Sequence, residues 1–528
     1  WELEDYNRMP SNLLLERLEC LARRTMHHIN PPPYALAAGN IIKMALILLR
    51  ARANVPVVLM GEAGCGKSSL IGFLAKVVEV NYEPFNLHSG IKEQDILDFM
   101  DKAQKMVYNG ELWLFFDEIN TCDHIGLLTN LIAHRMIKGK LVHPNIRIFS
   151  ACNPYRKRIE VQSQYGIKTK VRRYEEQSDL VYQVKPQILD YVWDYGALLP
   201  VDEKRYIQVM VQTRFGEGHE LFTELLFTSQ QFIRTIEENY SVSLRDVKRA
   251  IKLVSFFEES LRERSSYGYS IGNRYYLSPD SISLRIRCYI LALGLCYQSR
   301  IYDQESRSKY RQEIIKNANI AMNEALLENV LVMIVCILTK IPVFIIGDPG
   351  SSKSLAIKLV GQNLRGSDSN DRYFRKLPQV YLISYQGSSS STSDGFIKVF
   401  GKAIKYQETI SKEFSIINIV VLDNVGLAET NVHNPLKILH ALLEPNYPSD
   451  GPAVSFVGIS NWRLDIGKCS RALLVQRPKF GTDDLVDTAV CLLDSKSHIT
   501  RASLRPLAEA YSEYEGCKYI LLKFCQVI

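Results

Sequence analysis

One stretch of fourteen residues is written twice in this chain. Residues 55–68 read VPVVLMGEAGCGKS and residues 341–354 read IPVFIIGDPGSSKS, with Lys67 and Lys353 lying 286 positions apart. Each copy has a proline, four apolar residues, a glycine, an acidic residue, a further glycine and a closing Lys-Ser. An apolar, helix-like segment precedes each, Ile41 to Leu49 in one and Val330 to Leu338 in the other. Downstream, the runs Leu112–Phe116 and Ile419–Leu422 end in Asp117 and Asp423, as short buried parallel strands do. A second strand-like run then ends in asparagine, at Asn153 and Asn461, with 36 and 38 residues from aspartate to asparagine. Helix, strand, glycine turn, acidic strand end and asparagine strand end in the same order twice predict two parallel-sheet α/β domains.

Length allows for this and more, since 528 residues exceed one ordinary domain. The expected divisions are a first sheet domain with a helical lead-in over 1–184, a helical lid over 185–264, and a connector with a helix over 265–318. A second sheet domain over 319–480 and the start of a second lid over 481–528 follow. The segments Gly366–Asp371 and Gly387–Gly395 read as exposed loops. Hydrophobic residues at 46% and charged residues at 23% describe a packed chain and exclude a disordered one. The net charge of +7 is too small for this length to signal an anionic partner. The basic runs Arg156–Arg158 and Lys168–Arg173 lack interleaved aromatics and read as solvated loops, so no nucleic-acid partner is expected.

Eleven cysteines without a CxxC pair fit a reducing compartment better than a disulfide scaffold or a zinc site. The most apolar stretch, Val330 to Ile346, is broken by Lys340 and Pro342. It predicts a buried helix followed by a buried strand, not a membrane span. With no signal peptide, no initial methionine and an apolar final run, the chain reads as a segment of something longer.

The first copy matches the full GxxxxGK[ST] phosphate-loop pattern. Glycines there let successive backbone N–H groups curl around phosphate oxygens, and a helix starting near the lysine adds its positive end. The expected nucleotide-binding set is Gly61, Gly64, Cys65, Gly66, Lys67, Ser68 and Ser69, with Lys67 on the β- and γ-phosphates. Ser68 and Asp117 are the expected Mg²⁺ ligands. Glu118, next to Asp117, is the candidate base for the attacking water, a role worth ~10²–10⁴ in rate. Asn153 is placed to orient that water. Arg245, in Ser-Leu-Arg-Asp, has two readings: a lid arginine brought onto the phosphates, or a solvated helix residue.

The second copy keeps Gly347, Gly350, Ser351, Lys353, Ser354 and Leu355 but has Ser352 where the pattern has its last glycine. Nucleotide binding is still expected there, with Asn461 at the next strand end and Ser354 and Asp423 as Mg²⁺ ligands. The residue after Asp423, however, is Asn424. A carboxamide cannot take up a proton as a carboxylate does, so the second module is expected to bind nucleotide and hydrolyse it slowly or not at all. Glu429 is a conceivable substitute. Arg471 follows Asn461 by ten residues, where an arginine either reaches a neighbouring module's phosphates as a finger or is solvated beside a helix.

The segments VVLMGEAGCGKS, LWLFFDEIN, ACNPYRK, VWDYG and SLRDVKR resemble an active module of the mysterin family of giant dynein-like RING-finger ubiquitin ligases. IPVFIIGDPGSSKSLA, VVLDNVGLAE and VGISNWRLD resemble that family's next module. The resemblance covers nearly the whole chain. It implies two tandem AAA+ P-loop NTPase modules, each a parallel-sheet α/β domain with a helical lid, using ATP and Mg²⁺. Ser352 is then a family habit, whereas Asn424 departs from the family's glutamate. The resemblance further implies a ring of concatenated modules driving or gating a ligase in the cytosol, partly at lipid droplets. Ubiquitin-conjugating partners would be met through parts not present here, since the chain has no RING-type Cys/His cluster. A competing reading is a scaffold that holds ATP with little turnover.

Overall fold

In the computed structural model, the described residues are 9–22; 34–153 save 35, 37, 63, 89, 108–109 and 123; 159–161; 171–173; and 186–301 save 197, 238–240 and 267–280. They continue with 325–409 save 349, 350, 352 and 370–373; 416–477 save 430–434, 444–453 and 465–469; and 482, 485–486, 502–511 and 513. Of the connector and helix expected over 265–318, residues 267–280 and 302–318 lie outside the described residues, as do the basic runs before Val171 and most of 481–528.

Helices α1 (Ser11–Ala22) and α2 (Ala38–Arg52) lead into strand β1 (Val57–Met60), the phosphate-loop segment and α3 (Lys67–Val78). Then come β2 (Asn81–Asn86), α4 (Glu93–Met106), β3 (Leu112–Asp117) and α5 (Ile125–Ala133). A small hairpin of β4 (Met136–Ile137) and β5 (Lys140–Leu141) precedes β6 (Ile146–Cys152). A second hairpin, β7 (Ile159–Val161) with β8 (Val171–Arg173), precedes α6 (Pro186–Leu189) and β9 (Val192–Asp194). Strands β2, β3, β6, β1 and β9 lie in that order in one parallel sheet.

The second module repeats this. Its strands are β10 (Val343–Ile346), β11 (Gln379–Gln386), β12 (Ile416–Asp423), β13 (Ser455–Ser460) and β14 (Leu473–Gln476). They form a parallel sheet in the order β11, β12, β13, β10, β14, element for element the order of the first. In both, one strand is inserted between the loop-bearing strand and the acidic strand. The C-terminal strand ends, where an open parallel sheet binds ligands, thereby bring the glycine loop, the aspartate and the asparagine to one edge.

The strands form because both faces are covered. VVLM of β1 and LWLFF of β3 are buried throughout. Alternate residues serve opposite faces. Leu59, Trp113, Phe115 and Phe149 pack under α1, α2 and α3, while Val58, Leu114, Phe116 and Ile148 pack under α4 and α5. The helix and strand expected within Val330–Ile346 are present as Ala325–Thr339 and Val343–Ile346. No helix among the described residues is long and apolar enough to cross a membrane.

Helices α7 (Pro200–Phe215), α8 (Glu220–Ile236), α9 (Leu244–Ser266) and α10 (Ser281–Cys296) form the helical segment after the first sheet. Their core is continuous with the second sheet: Val254, Phe257 and Leu293 share one cluster with Met333, Cys336, Val343 and Val475.

Two local expectations differ from the structure. Val192–Asp194, inside the stretch read as the start of a lid, is the edge strand of the first sheet, paired with β1. Ser393 to Gly395, read as loop, opens the helix Ser393–Thr409. The Thr392 hydroxyl caps it by accepting from the Gly395 N–H at 3.2 Å. In the other stretch read as an exposed loop, Gly366–Asp368 forms a single 3₁₀ turn with no buried residue.

Candidate active site between the modules

The first loop turns through Gly64 at φ +82° and Gly66 at φ +95°, and α3 starts at Lys67. At Gly64 a side chain is excluded twice over. The backbone is left-handed, and a Cβ would lie 2.8 Å from Ser243 and 3.0 Å from the Arg245 guanidinium. Arg245 of α9 thus lies against the phosphate loop. Lys67 is buried and donates to the Gly61 carbonyl at 2.6 Å, the Glu62 carbonyl at 2.9 Å and Asn153 Oδ1 at 3.0 Å. Cys65 Sγ is 3.8 Å from its ammonium. Ser68 donates to Asp117 Oδ2 at 2.7 Å, and Ser69 follows in the first turn of α3. A hydroxyl and a carboxylate in contact beside a glycine cradle are the oxygen donors a hard divalent cation takes, so this set fits Mg²⁺.

Glu118 is only 4% exposed. Asn153 Nδ2 donates to its Oε1 at 3.3 Å. The closest partners come from the second module: Arg471 donates to Oε1 at 2.5 Å, and His440 Nδ1 donates to Oε2 at 2.5 Å. Burial pushes the Glu118 carboxyl up, but Arg471 and then His440 outweigh it and hold the group well below the ordinary carboxylate range. Asp117 goes the other way. Its burial and the neighbouring Glu118 charge raise it against the pull of Ser68, Lys67 and Arg471.

The second site has the same skeleton. Lys353 donates to the Gly347 carbonyl at 2.6 Å, the Asp348 carbonyl at 2.9 Å and Ser351 Oγ at 3.0 Å. Burial lowers this ammonium, with Asp348 and Asp423 opposing. A Cβ at Gly347 would meet Ser351 Oγ at 2.8 Å and Arg477 Cβ at 2.9 Å. Ser354 and Leu355 lie in the first turn of the helix Lys353–Asn363, and Gly350 and Ser352 lie outside the described residues. Asp423 ends β12, and Asn461 Nδ2 reaches Asn424 Oδ1 at 3.5 Å, the counterpart of the Asn153–Glu118 contact.

His440 has no mark in the sequence pattern: it lies 322 residues from Glu118, and only tertiary structure joins them. The residues flanking the loops were also unmarked. Tyr195 follows β9 and carries Lys43 4.2 Å over its ring. Its counterpart after β14 is Arg477, which donates to Asn329 Oδ1 at 2.6 Å and pairs with Glu328.

Residues 34–156 and residues 319–484 each match a family model described as an RNF213 AAA domain. The chain is 33% identical to the E3 ubiquitin-protein ligase RNF213 of Mus musculus over 96% of its length, and 34% identical to that of Homo sapiens over 93%. It is 32% identical to the E3 ubiquitin-protein ligase rnf213-beta of Danio rerio over 89%. It spans 10–11% of the length of these relatives. The chain belongs to the RNF213 (mysterin) family and carries two of its AAA domains in tandem.

Proposed function

We propose that the tandem modules bind ATP and that the first hydrolyses it, with the second holding nucleotide at little or no turnover. Lys67, Ser68, Asp117, Glu118 and Asn153 meet at one sheet edge, with Arg471 entering from the next module; that convergence carries the reading. Lys67 and the loop N–H groups would bind the phosphates, with Arg245 close by. Ser68 with Asp117, and Ser354 with Asp423, would hold Mg²⁺, which when bound supplies charge neutralisation of the phosphates. Glu118 would take the proton of the attacking water, and Asn153, bridging Lys67 and Glu118, would orient it. Arg471 is the candidate finger, a role worth ~10³–10⁵ in turnover when it engages the γ-phosphate. In the second module Asn424 occupies the position of Glu118, which supports occupancy without hydrolysis and, for that half, the scaffold reading. By likeness to its relatives, the pair would be the motor or regulatory core of an E3 ubiquitin-protein ligase, working in the cytosol and partly at lipid droplets.

Steady-state ATP turnover of the full-length protein with Glu118→Gln tests this. The expected result is a loss of ~10²–10⁴ in the first module's rate with nucleotide still bound. Substantial residual turnover that a further Lys353→Ala change removes would show the second module hydrolysing and overturn the division of labour.

A further inference from the structure

His440 is the second residue of the short helix Leu439–Leu443, and its imidazole reaches across the module boundary to Glu118 Oε2. The helix is firmly seated. Leu436, Ile438, Leu439 and Leu443 share a core with Val425 and Ala428 of the short helix Val425–Glu429, which directly follows Asp423 and Asn424. The histidine side chain is 12% exposed. Its placement is therefore set by packing around the second module's acidic strand end and not by a mobile surface.

The two carboxylate oxygens have different partners. Oε1 is held by Arg471 at 2.5 Å and by Asn153 at 3.3 Å, and Oε2 by His440 at 2.5 Å. A carboxylate that activates water must keep one orientation. Arg471, however, has a competing demand, because a guanidinium fork suits phosphate as well as carboxylate. Once it turned to a phosphate, Oε1 would keep only the long amide contact, too weak alone to fix the carboxylate plane. His440 bonds the opposite oxygen, and a single imidazole N–H lacks the guanidinium fork that suits phosphate.

We propose that His440 is a positioning residue for hydrolysis in the first module, supplied by the second: it fixes the Glu118 carboxylate through Oε2 and so leaves Arg471 able to engage a phosphate. The bond joins Nδ1 to Oε2, so the requirement is an N–H donor at that point. The proposal rests on Glu118 being the water-activating carboxylate.

The test is ATP turnover of the full-length protein carrying His440→Leu, His440→Asn or His440→Gln, with the Lys67→Ala rate subtracted to isolate the first module. Loss of one charge-assisted hydrogen bond in His440→Leu is expected to lower kcat roughly tenfold to a hundredfold, with KM for ATP within about twofold. His440→Asn puts an amide nitrogen where Nδ1 stood and should recover most of the rate. His440→Gln puts its amide at the Nε2 position and should not. Equal losses in the Asn, Gln and Leu variants, an unchanged rate in all three, or a raised KM at constant kcat would each overturn the proposal. Where His440→Leu does not fold, the Asn and Gln pair makes the same comparison. Full turnover in Glu118→Gln would be a separate failure, removing the role of Glu118 itself.

Discussion

Glu118 sits at φ 57° and ψ 45°, and Asn424 at φ 51°, so both modules turn left-handed directly after their acidic strand. Asparagine tolerates that region better than most residues, whereas glutamate there costs about 1–3 kcal/mol and persists only when its surroundings over-determine it. Around Glu118 they do. Asn153, Arg471 and His440 bond the carboxylate, the Asp117 carboxylate beside it feels its charge, and His88 lies close enough to feel it too. Burial alone would raise this carboxyl, and Arg471 is the largest influence reversing it. Replacing Arg471 by alanine should therefore move the Glu118 carboxyl upward. A base works above its pKa and is lost as pH falls through it, so the acid limb of kcat against pH should shift to higher pH in Arg471→Ala, whatever happens to its height. For stability, the depressed carboxyl contributes fully above its ordinary value of 4.5 and is lost only as pH falls through its lower folded value. The variant should therefore meet acid unfolding at higher pH. An acid limb that stays in place would show that Arg471 does not set the charge of Glu118. Lys67, Ser68, Asp117, Glu118 and Asn153 were readable from the chain because each sits at a fixed step within a strand-loop-helix unit. Arg471 was readable from its order after Asn461, but His440 was not, since nothing local distinguishes a histidine in Ile-Leu-His-Ala-Leu from any helix residue.

Strand elements show how the two modules solve one packing problem with different residues. Phe344 of β10 pairs with Gly458 of β13, and at the matching place in the first sheet Val58 pairs with Ser150. A Cβ at Gly458 would lie 2.3 Å from the Phe344 ring, so the large residue on one strand requires the glycine on its neighbour. Gly458→Ser should overpack this spot and lower stability by about 1–3 kcal/mol. Phe344→Val alone should open a cavity, while the two together reproduce the first module's pair and should lose less than the sum. Urea unfolding of the four chains measures the coupling, and additive losses would show that the ring and the glycine do not share the space. The long strands were evident in the sequence because burial on both faces leaves continuous apolar runs such as VFII and LWLFF. Val192–Asp194 was not, being three residues long and only partly buried at the sheet edge. The helix at Ser393 was hidden by a serine-rich run, and the hydroxyl of Thr392 at its end acts as the cap, a role that composition alone reads as loop.

At the scale of the whole molecule, helix α9 of the first module organises both sides of the junction. Its Arg245 lies against Gly64 in the phosphate loop. One turn further on, Arg249 pairs with Asp246 at 2.9 Å and donates to the Ser470 carbonyl at 2.7 Å. Ser470 immediately precedes Arg471, whose guanidinium returns to Glu118. Contacts of Glu237 with Arg463 and Gln476, and of Arg300 with Gln476, run beside this seat over a continuous apolar core. The first module therefore holds, through a backbone carbonyl, the arginine that the second module lends to it. Proximity along such a chain is not yet coupling, and a substitution cycle decides it. Arg249→Ala touches neither Glu118 nor the phosphate loop, yet it should let Arg471 drift. A misplacement on the order of 1 Å is enough to lower turnover roughly tenfold to a hundredfold while nucleotide affinity holds. In an Arg471→Ala background the same change should cost nothing more, because the residue it seats is already gone. Independent, multiplying losses in the double variant would mean that Arg249 supports the fold at large and that the position of Arg471 is secured elsewhere.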